Sequence, residues 1–262
     1  VKAKITAADG ANIAADAEVG PVNNFLHSLF SQVDISLNGT LITSSTNTYP
    51  YRAYIEDLLS YGSESKESQL TAALFYKDTP GRMGVANSRA AADARNHGLT
   101  KRAEFTNESR VVDVIGRLHS DIFFQERYLL NEVTTKIRLI RSRDSFCLMS
   151  TGQFKVKIMA ASLFIRKVKV SPSVFLAHAK TLEKSLAKYP IRRVVCKTFT
   201  IPTGHLIIDA LNEKLFTGQL PRRVVIGLVD NEAFNGGFGH NPFNFKHFSL
   251  SEIALYLDGQ QQ

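Results

Sequence analysis

The sequence has no tryptophan and only two cysteines, Cys147 and Cys196, each alone in apolar surroundings. There is no CxxC pair and no Cys/His spacing. Neither a cysteine-based zinc site nor a disulfide framework is indicated, and two buried, reduced thiols are expected. No apolar run approaches the ~20 residues that a membrane-spanning helix needs. Gly236-Gly237-Phe238-Gly239 lacks both the GK[ST] of a P-loop and the spacing of a dinucleotide loop, so it reads as a turn. The formal glycosylation acceptors Asn38-Gly39-Thr40 and Asn107-Glu108-Ser109 are expected to carry no weight, since no signal peptide is seen in these 262 residues. No methionine opens the chain, and an alternating run is already under way at Val1, Ala3 and Ile5. The expectation is an interior piece of a longer polypeptide.

What remains is ordinary globular material. The chain has 262 residues, 44% hydrophobic and 21% charged, with seventeen Phe and eight Tyr. Such a length can bury a sizeable core, and the excess of Phe favours strands. The formal net charge is +8. That balance is compatible with a polyanionic partner and says nothing about the fold.

The most informative feature is a phrase written twice. Asn24–Gly39 reads NFLHSLFSQVDISLNG, and Asn244–Gly259 reads NFKHFSLSEIALYLDG. Asn24/Asn244, Phe25/Phe245, His27/His247, Ser31/Ser251, Leu37/Leu257 and Gly39/Gly259 are identical. Average composition predicts roughly one match in such a window. Each copy alternates apolar residues and then reaches Asn-Gly or Asp-Gly, a strand entering a tight turn. The copies lie too far apart for a solenoid, whose period runs ~20–50 residues. They point to two copies of one β-unit in a single chain.

Strands are expected at Gln32–Leu37 within the first copy, and between the copies at Val111–Leu118, Thr135–Arg141, Phe154–Ala160 and Leu163–Val170, then at Arg192–Ile201, His205–Ile208 and Val224–Val229. A helix is expected after Pro50, because Tyr51, Tyr54, Ile55, Leu58 and Leu59 make one apolar face. A second runs over 171–188, with Ser171 as N-cap, Pro172 in the first turn and Phe175, His178, Ala179, Leu182 and Leu186 as its inner stripe. Residues 63–101 read as a long polar excursion, mostly loop, with Ala-rich helical scraps at Gln69–Phe75 and Ser88–Arg95. Strands dominate and helices sit in the connections. The economical fold class is all-β with inserted helices: two tandem antiparallel jelly-roll sandwiches, the second cut short.

Convergent catalytic chemistry is hard to find. His27 and His247 recur, but neither has a second ligand at i+2 or i+4, so each reads as a structural histidine bonding backbone. His119-Ser120-Asp121 holds the three residue types of a hydrolase triad, yet sequence neighbours point apart. Asp113, Asp121, Glu126 and Glu132 are not fixed as a pair. Catalytic, cofactor and metal residues are therefore all expected to be none. The cations Lys136, Arg138, Lys155, Lys157, Arg166, Lys167, Lys169, Arg192, Arg193, Lys197, Arg222 and Arg223 read as the solvated face of sheets, or as a face turned towards nucleic acid.

Several phrases resemble one known family. They are Gly20–Gly39, Asn47–Glu56 (NTYPYRAYIE), Arg141–Leu148 (RSRDSFCL), Tyr189–Arg193 (YPIRR), Gly218–Asn231 (GQLPRRVVIGLVDN) and Asn241–His247 (NPFNFKH). The family comprises the major capsid (hexon-like) proteins of Polinton/Maverick elements and adintovirus-like DNA viruses. The resemblance implies a double jelly roll whose homotrimers form pseudo-hexagonal capsomers, because two similar sandwiches in each of three chains approximate a sixfold unit. It further implies neighbouring capsomers and minor, penton-type capsid proteins as partners, non-specific contact with packaged DNA, no membrane span, and a place in the virion capsid after assembly inside the host cell. On this reading 1–170 is the first roll with 63–101 as its insertion, 171–190 a helical connector and 191–262 the first part of the second roll. The rival readings are a domesticated host jelly-roll protein, a nucleic-acid-binding β-protein, and a glycan-binding sandwich, against which the lack of Trp speaks.

Overall fold

The computed structural model describes residues 1–202, 220–254, 256–257 and 260–261. Its strands are short and all paired antiparallel, with helices between them. The first three-stranded sheet has β1 (Lys2–Ala7) between β5 (Val112–Asp113) and β8 (Phe154–Ala160). The second has β3 (Phe30–Leu37) between β4 (Thr40–Leu41) and β6 (Thr135–Arg141). A smaller ladder joins β2 (Val19–Pro21) to β7 (Leu148–Ser150), and a hairpin joins β9 (Tyr256–Leu257) to β10 (Gln260–Gln261).

Both three-stranded sheets feed one apolar core. Ala3 and Ile5 of β1, Val156 of β8, and Val33 and Ile35 of β3 meet there with Phe25, Leu29 and Leu148. The alternation seen in the sequence puts these side chains on one face of each strand. β6 is different: its residues are exposed or half-buried, and Lys136 and Arg138 stand on its outer side. Cations on such a strand discourage pairing with another chain.

The helices are α1 (Phe25–Ser28), α2 (Tyr49–Ser60), α3 (Ser63–Glu67), α4 (His97–Thr106), α5 (Asp144–Cys147), α6 (Pro172–Leu182) and α7 (Asn231–Asn235). α2 has Pro50 in its first turn as expected, but its buried face is turned. Tyr51, Ala53, Tyr54 and Asp57 are buried, whereas Leu59 is 59% exposed. The reason is Asp57, which lies inside with partners of its own. A second, aromatic core forms on this face from Tyr51, Tyr54, Phe75, Leu99, Phe146, Met149 and Phe243.

The 63–101 excursion is more ordered than a loop. It contains α3, a 3-10 turn at Gln69–Ala73 and the start of α4. Asn96 caps α4, its Oδ1 accepting from the amides of Leu99 and Thr79. Gly98 lets the helix meet the preceding backbone: a Cβ there would fall 2.5 Å from the Lys77 carbonyl oxygen. Arg102 then enters the interior, fully buried, and pairs with Asp78.

Other expectations shift. Only Val112–Asp113 of the 111–118 run joins a ladder; beyond it the Val114 amide donates to Val1 and the Ile115 amide to Ala72. Residues 163–170, 192–201 and 224–229 alternate, yet none lies in a strand. Alternation is local, but a strand needs a ladder: the Leu228 carbonyl accepts from the Lys246 amide at 3.0 Å, yet none of the three runs joins a sheet among the described residues. The expected strand His205–Ile208 falls outside the described residues. The 171–188 helix ends at Leu182, and none of its residues is buried. Ser171 holds the N-cap position, though its hydroxyl bonds Ser173 Oγ rather than a backbone amide.

The two copies of the repeated phrase agree in part. In the first, Ser36 pairs with Leu41 and Leu37 with Thr40, around a turn in which Asn38 and Gly39 both have positive φ. That is the geometry of a type I′ hairpin. In the second, Tyr256 pairs with Gln261 and Leu257 with Gln260, the same register at the equivalent residues. Upstream they diverge. His27 is buried on α1 ahead of β3, whereas His247 is exposed and residues 244–254 form no strand.

Candidate functional site

α1, α2 and the segment before the 3-10 turn Asp121–Phe124 converge on a buried polar cluster. α1 follows directly from Asn24, whose left-handed φ of 55° turns the chain so that His27 points inward. His27 Nδ1 shares a 2.9 Å hydrogen bond with the Tyr49 hydroxyl, and its ring meets that of His119 edge-on at 4.7 Å. His119 Nδ1 lies 2.6 Å from Glu56 Oε2, and its Nε2 lies 3.4 Å from Asp57 Oδ1. Asn24 Nδ2 donates to the other oxygen of Asp57 at 2.7 Å. Arg52 donates to Glu56 at 2.9 Å and also binds Asp121.

Electrostatics divide the two histidines. Burial, and then the nearby His119, hold His27 well below the ordinary imidazole value. Burial alone would lower His119 too, but hydrogen bonds and charge from Asp57 and Glu56 outweigh it and leave His119 raised. Burial pushes Glu56 up, and the His119 bond with the Arg52 charge more than reverses it, leaving Glu56 lowered. The carboxylates thus favour the charged form of His119, and burial favours the neutral form of His27.

The sequence-level candidates separate in space. His119 faces Glu56 and Asp57, while Asp121 accepts from Arg52 and from the Val194 amide at 3.3 Å. The hydroxyl of Ser120 is buried without a hydrogen-bond partner among the described residues. His27 was expected to bond backbone; its partner is the Tyr49 side chain. His247 Nδ1 instead accepts from the Ser249 amide at 3.0 Å. Gly236 has φ 87°, and the Ser150 amide donates to the Phe238 carbonyl, so the glycine-rich run is a turn laid against β7. Both cysteines are free; Cys147 is buried and Cys196 half-buried.

A second feature lies at the surface. Every residue from Met159 to Lys188 is exposed, including Phe164 at 81%, Leu176 at 67% and Leu186 at 87%. Arg166, Lys167 and Lys169 alternate with Ile165, Val168 and Val170 in this stretch. So much contiguous apolar surface is characteristic of an interaction face.

No protein-family model matches the sequence. An uncharacterized protein of Caenorhabditis elegans is 29% identical over 245 residues, which cover 92% of this chain and 55% of the relative. The chain thus spans about half the length of the curated relative it matches. No solved structure matches. Among the described residues, no helix is long and apolar enough to cross a membrane.

Asp57 and Glu56 were not singled out from the sequence as site residues. One signal was available: an acidic residue at position 57, three and four residues after Tyr54 and Ala53, falls on the face those two bury. A carboxylate there requires a partner.

Proposed function

We propose that this chain is a structural shell protein: two tandem antiparallel jelly-roll sandwiches per subunit, with three subunits forming a pseudo-hexagonal capsomer of an icosahedral DNA virus or virus-like transposon. The observation that carries the reading is the repeated hairpin, Leu37 against Thr40 and Leu257 against Gln260, in one register at equivalent residues of two related sequences. A duplicated β-unit gives each chain two similar faces, and threefold assembly turns them into six. The exposed apolar stretch 159–188 supports the same reading, since a shell subunit leaves uncovered the faces that its neighbours cover. The role is geometric, with no catalytic step assigned.

Light scattering coupled to size exclusion on the full-length protein tests this, with negative-stain microscopy of the same peak. A trimer with a hexagonal outline is expected. A stable monomer at high concentration overturns the proposal.

The exposed cations favour a second reading, binding of packaged nucleic acid through phosphates. Lys136, Arg138, Lys155 and Lys157 stand on the outer sides of β6 and β8. Affinity for mixed-sequence DNA should then fall steeply with salt. Affinity unchanged between low and high salt removes it.

A further inference from the structure

We propose that His27, His119 and Asp57 form a binding site for one divalent transition-metal ion of the zinc type, clipping α1, α2 and the 117–121 segment together. One ring nitrogen from each histidine and one oxygen of Asp57 lie within 4.8 Å of one another, and all three residues are buried. Two imidazoles and a carboxylate are a donor set for Zn²⁺ and its neighbours rather than for Ca²⁺ or Mg²⁺, which take oxygen. Tetrahedral bonds of ~2.1 Å give ligand-to-ligand edges of ~3.4 Å. His119 Nε2 and Asp57 Oδ1 already stand 3.4 Å apart. The set as a whole spans up to 4.8 Å, so its donors must close by about 1.4 Å to complete the tetrahedral edges.

The outer partners fit the same assignment. Metal-binding histidines usually hold one nitrogen with a carboxylate or other polar group and offer the second to the ion. Glu56 holds Nδ1 of His119, and the Tyr49 hydroxyl holds Nδ1 of His27. Asn24 fixes the distal oxygen of Asp57. Gly116 lies close to Nε2 of His27: a Cβ there would fall 3.2 Å from it, so a side chain at 116 would crowd the ring. A cavity of about 40 Å³, lined in part by Tyr49, Arg52, His119 and Asp121, adjoins the cluster on the His119 side and has room for a water.

The test is Co²⁺ and Zn²⁺ binding to the chelator-stripped full-length protein. One equivalent of Co²⁺ should give the visible bands of tetrahedral coordination, and Zn²⁺ should abolish them. At a hundredfold excess of Zn²⁺ over its Kd, Tm should rise by about 5 °C. His27→Gln, His119→Gln and Asp57→Asn should each weaken Co²⁺ binding at least ~100-fold, and Glu56→Gln ~10–100-fold. His240→Gln, at the exposed pair with Glu232, should leave it unchanged. A folded wild-type protein with no tetrahedral spectrum and no Zn²⁺-dependent Tm shift overturns the site, as does a spectrum that survives His27→Gln. The wild-type measurement does not depend on any variant folding. The outcome is also independent of the shell reading: a monomer that binds Co²⁺ sinks that proposal alone.

Discussion

Arg102 Nη2 lies 2.7 Å from Asp78 Oδ1, and neither side chain is reached by solvent. The pair is the hub of the excursion between α2 and β5. Arg102 Nε donates to the Pro21 carbonyl at 2.8 Å and its Nη1 to that of Tyr76. Asp78 also accepts from Asn96 at 3.0 Å and from Asn241 at 2.9 Å, so it ties α4 to a segment far along the chain. Removing one member strands the other's charge in the interior. Arg102→Met should therefore cost about 3–5 kcal/mol of unfolding free energy, and Asp78→Leu a similar amount. The double variant Arg102→Met/Asp78→Leu should cost clearly less than the two losses added, because no charge is then left unpaired. Denaturant unfolding of the four proteins measures the coupling. A loss under ~1 kcal/mol in Arg102→Met would mean that the pair is not buried in solution.

Phe243 seals the aromatic core from the other half of the chain. Its ring stacks on Tyr54 at 4.3 Å with 10° between planes, and it meets Phe146 edge-on at 6.2 Å. Truncating a buried phenyl leaves a cavity that the surroundings fill only partly, so Phe243→Ala should cost about 3–5 kcal/mol. Hydrogen exchange should show protection lost around 230–245 as well as in α2. Loss confined to 230–245 would show that the segment only rests on the first core.

Alkaline stability should depend on Tyr54. Burial, with the Asp78 charge adding to it, pushes its phenol up to about 12 from 10.0. A raised folded-state value stabilises below the unfolded value and loses that contribution as pH climbs through the folded one. Between pH ~10 and ~12 Tyr54 should thus subtract about 1.4 kcal/mol of stability per pH unit. Tyr54→Phe should flatten the decline over that window while changing neutral stability little. Tyr49 and Tyr51 are raised too, chiefly by burial, so the slope should shrink without vanishing. An identical decline in the variant would count against a buried Tyr54.

α2 was legible because Pro50 and an apolar stripe report on the helix itself. Which face it buries was not legible, since that depends on Asn24 and His119 reaching Asp57. α4 escaped notice for a related reason: its buried side chains are Leu99, Arg102 and Thr106, and only the leucine looks like core. The strands expected at 163–170 and 192–201 show the converse error, because alternation states what a strand would bury but not whether a partner lies beside it. The hairpin of each repeat was readable from Asn-Gly and Asp-Gly, whose chemistry is confined to the turn. The metal-type cluster was not, because spacing rules search within one segment and its donors come from three.

The two cysteines should differ sharply towards thiol reagents. Cys147 is buried and donates to the Ser28 carbonyl at 3.2 Å, and burial, with Asp144 adding to it, raises its thiol well above the ordinary value. A thiolate is the reactive form, so Cys147 should resist iodoacetamide in the native protein. Cys196 is half-buried and should react first. Mass spectrometry after limited labelling reads the order, and denaturant should equalise it. Equal native rates would contradict the packing of α5 against α1.

Phe164 and Leu186 bear on assembly. Their exposure of 81% and 87% means that a subunit gains little stability from either, so Phe164→Lys and Leu186→Lys should change its unfolding free energy by no more than about 0.5 kcal/mol. If neighbouring subunits cover this face, the same changes place a charge in an apolar interface and should weaken trimer formation at least ~10-fold. Light scattering over a dilution series, with unfolding measured in parallel below the association range, separates the two effects. Assembly lost with the subunit's stability intact fits the shell reading. A large loss of stability in the dissociated subunit would show instead that the chain folds back over Phe164 and Leu186 itself, and the face would no longer be available to a neighbour.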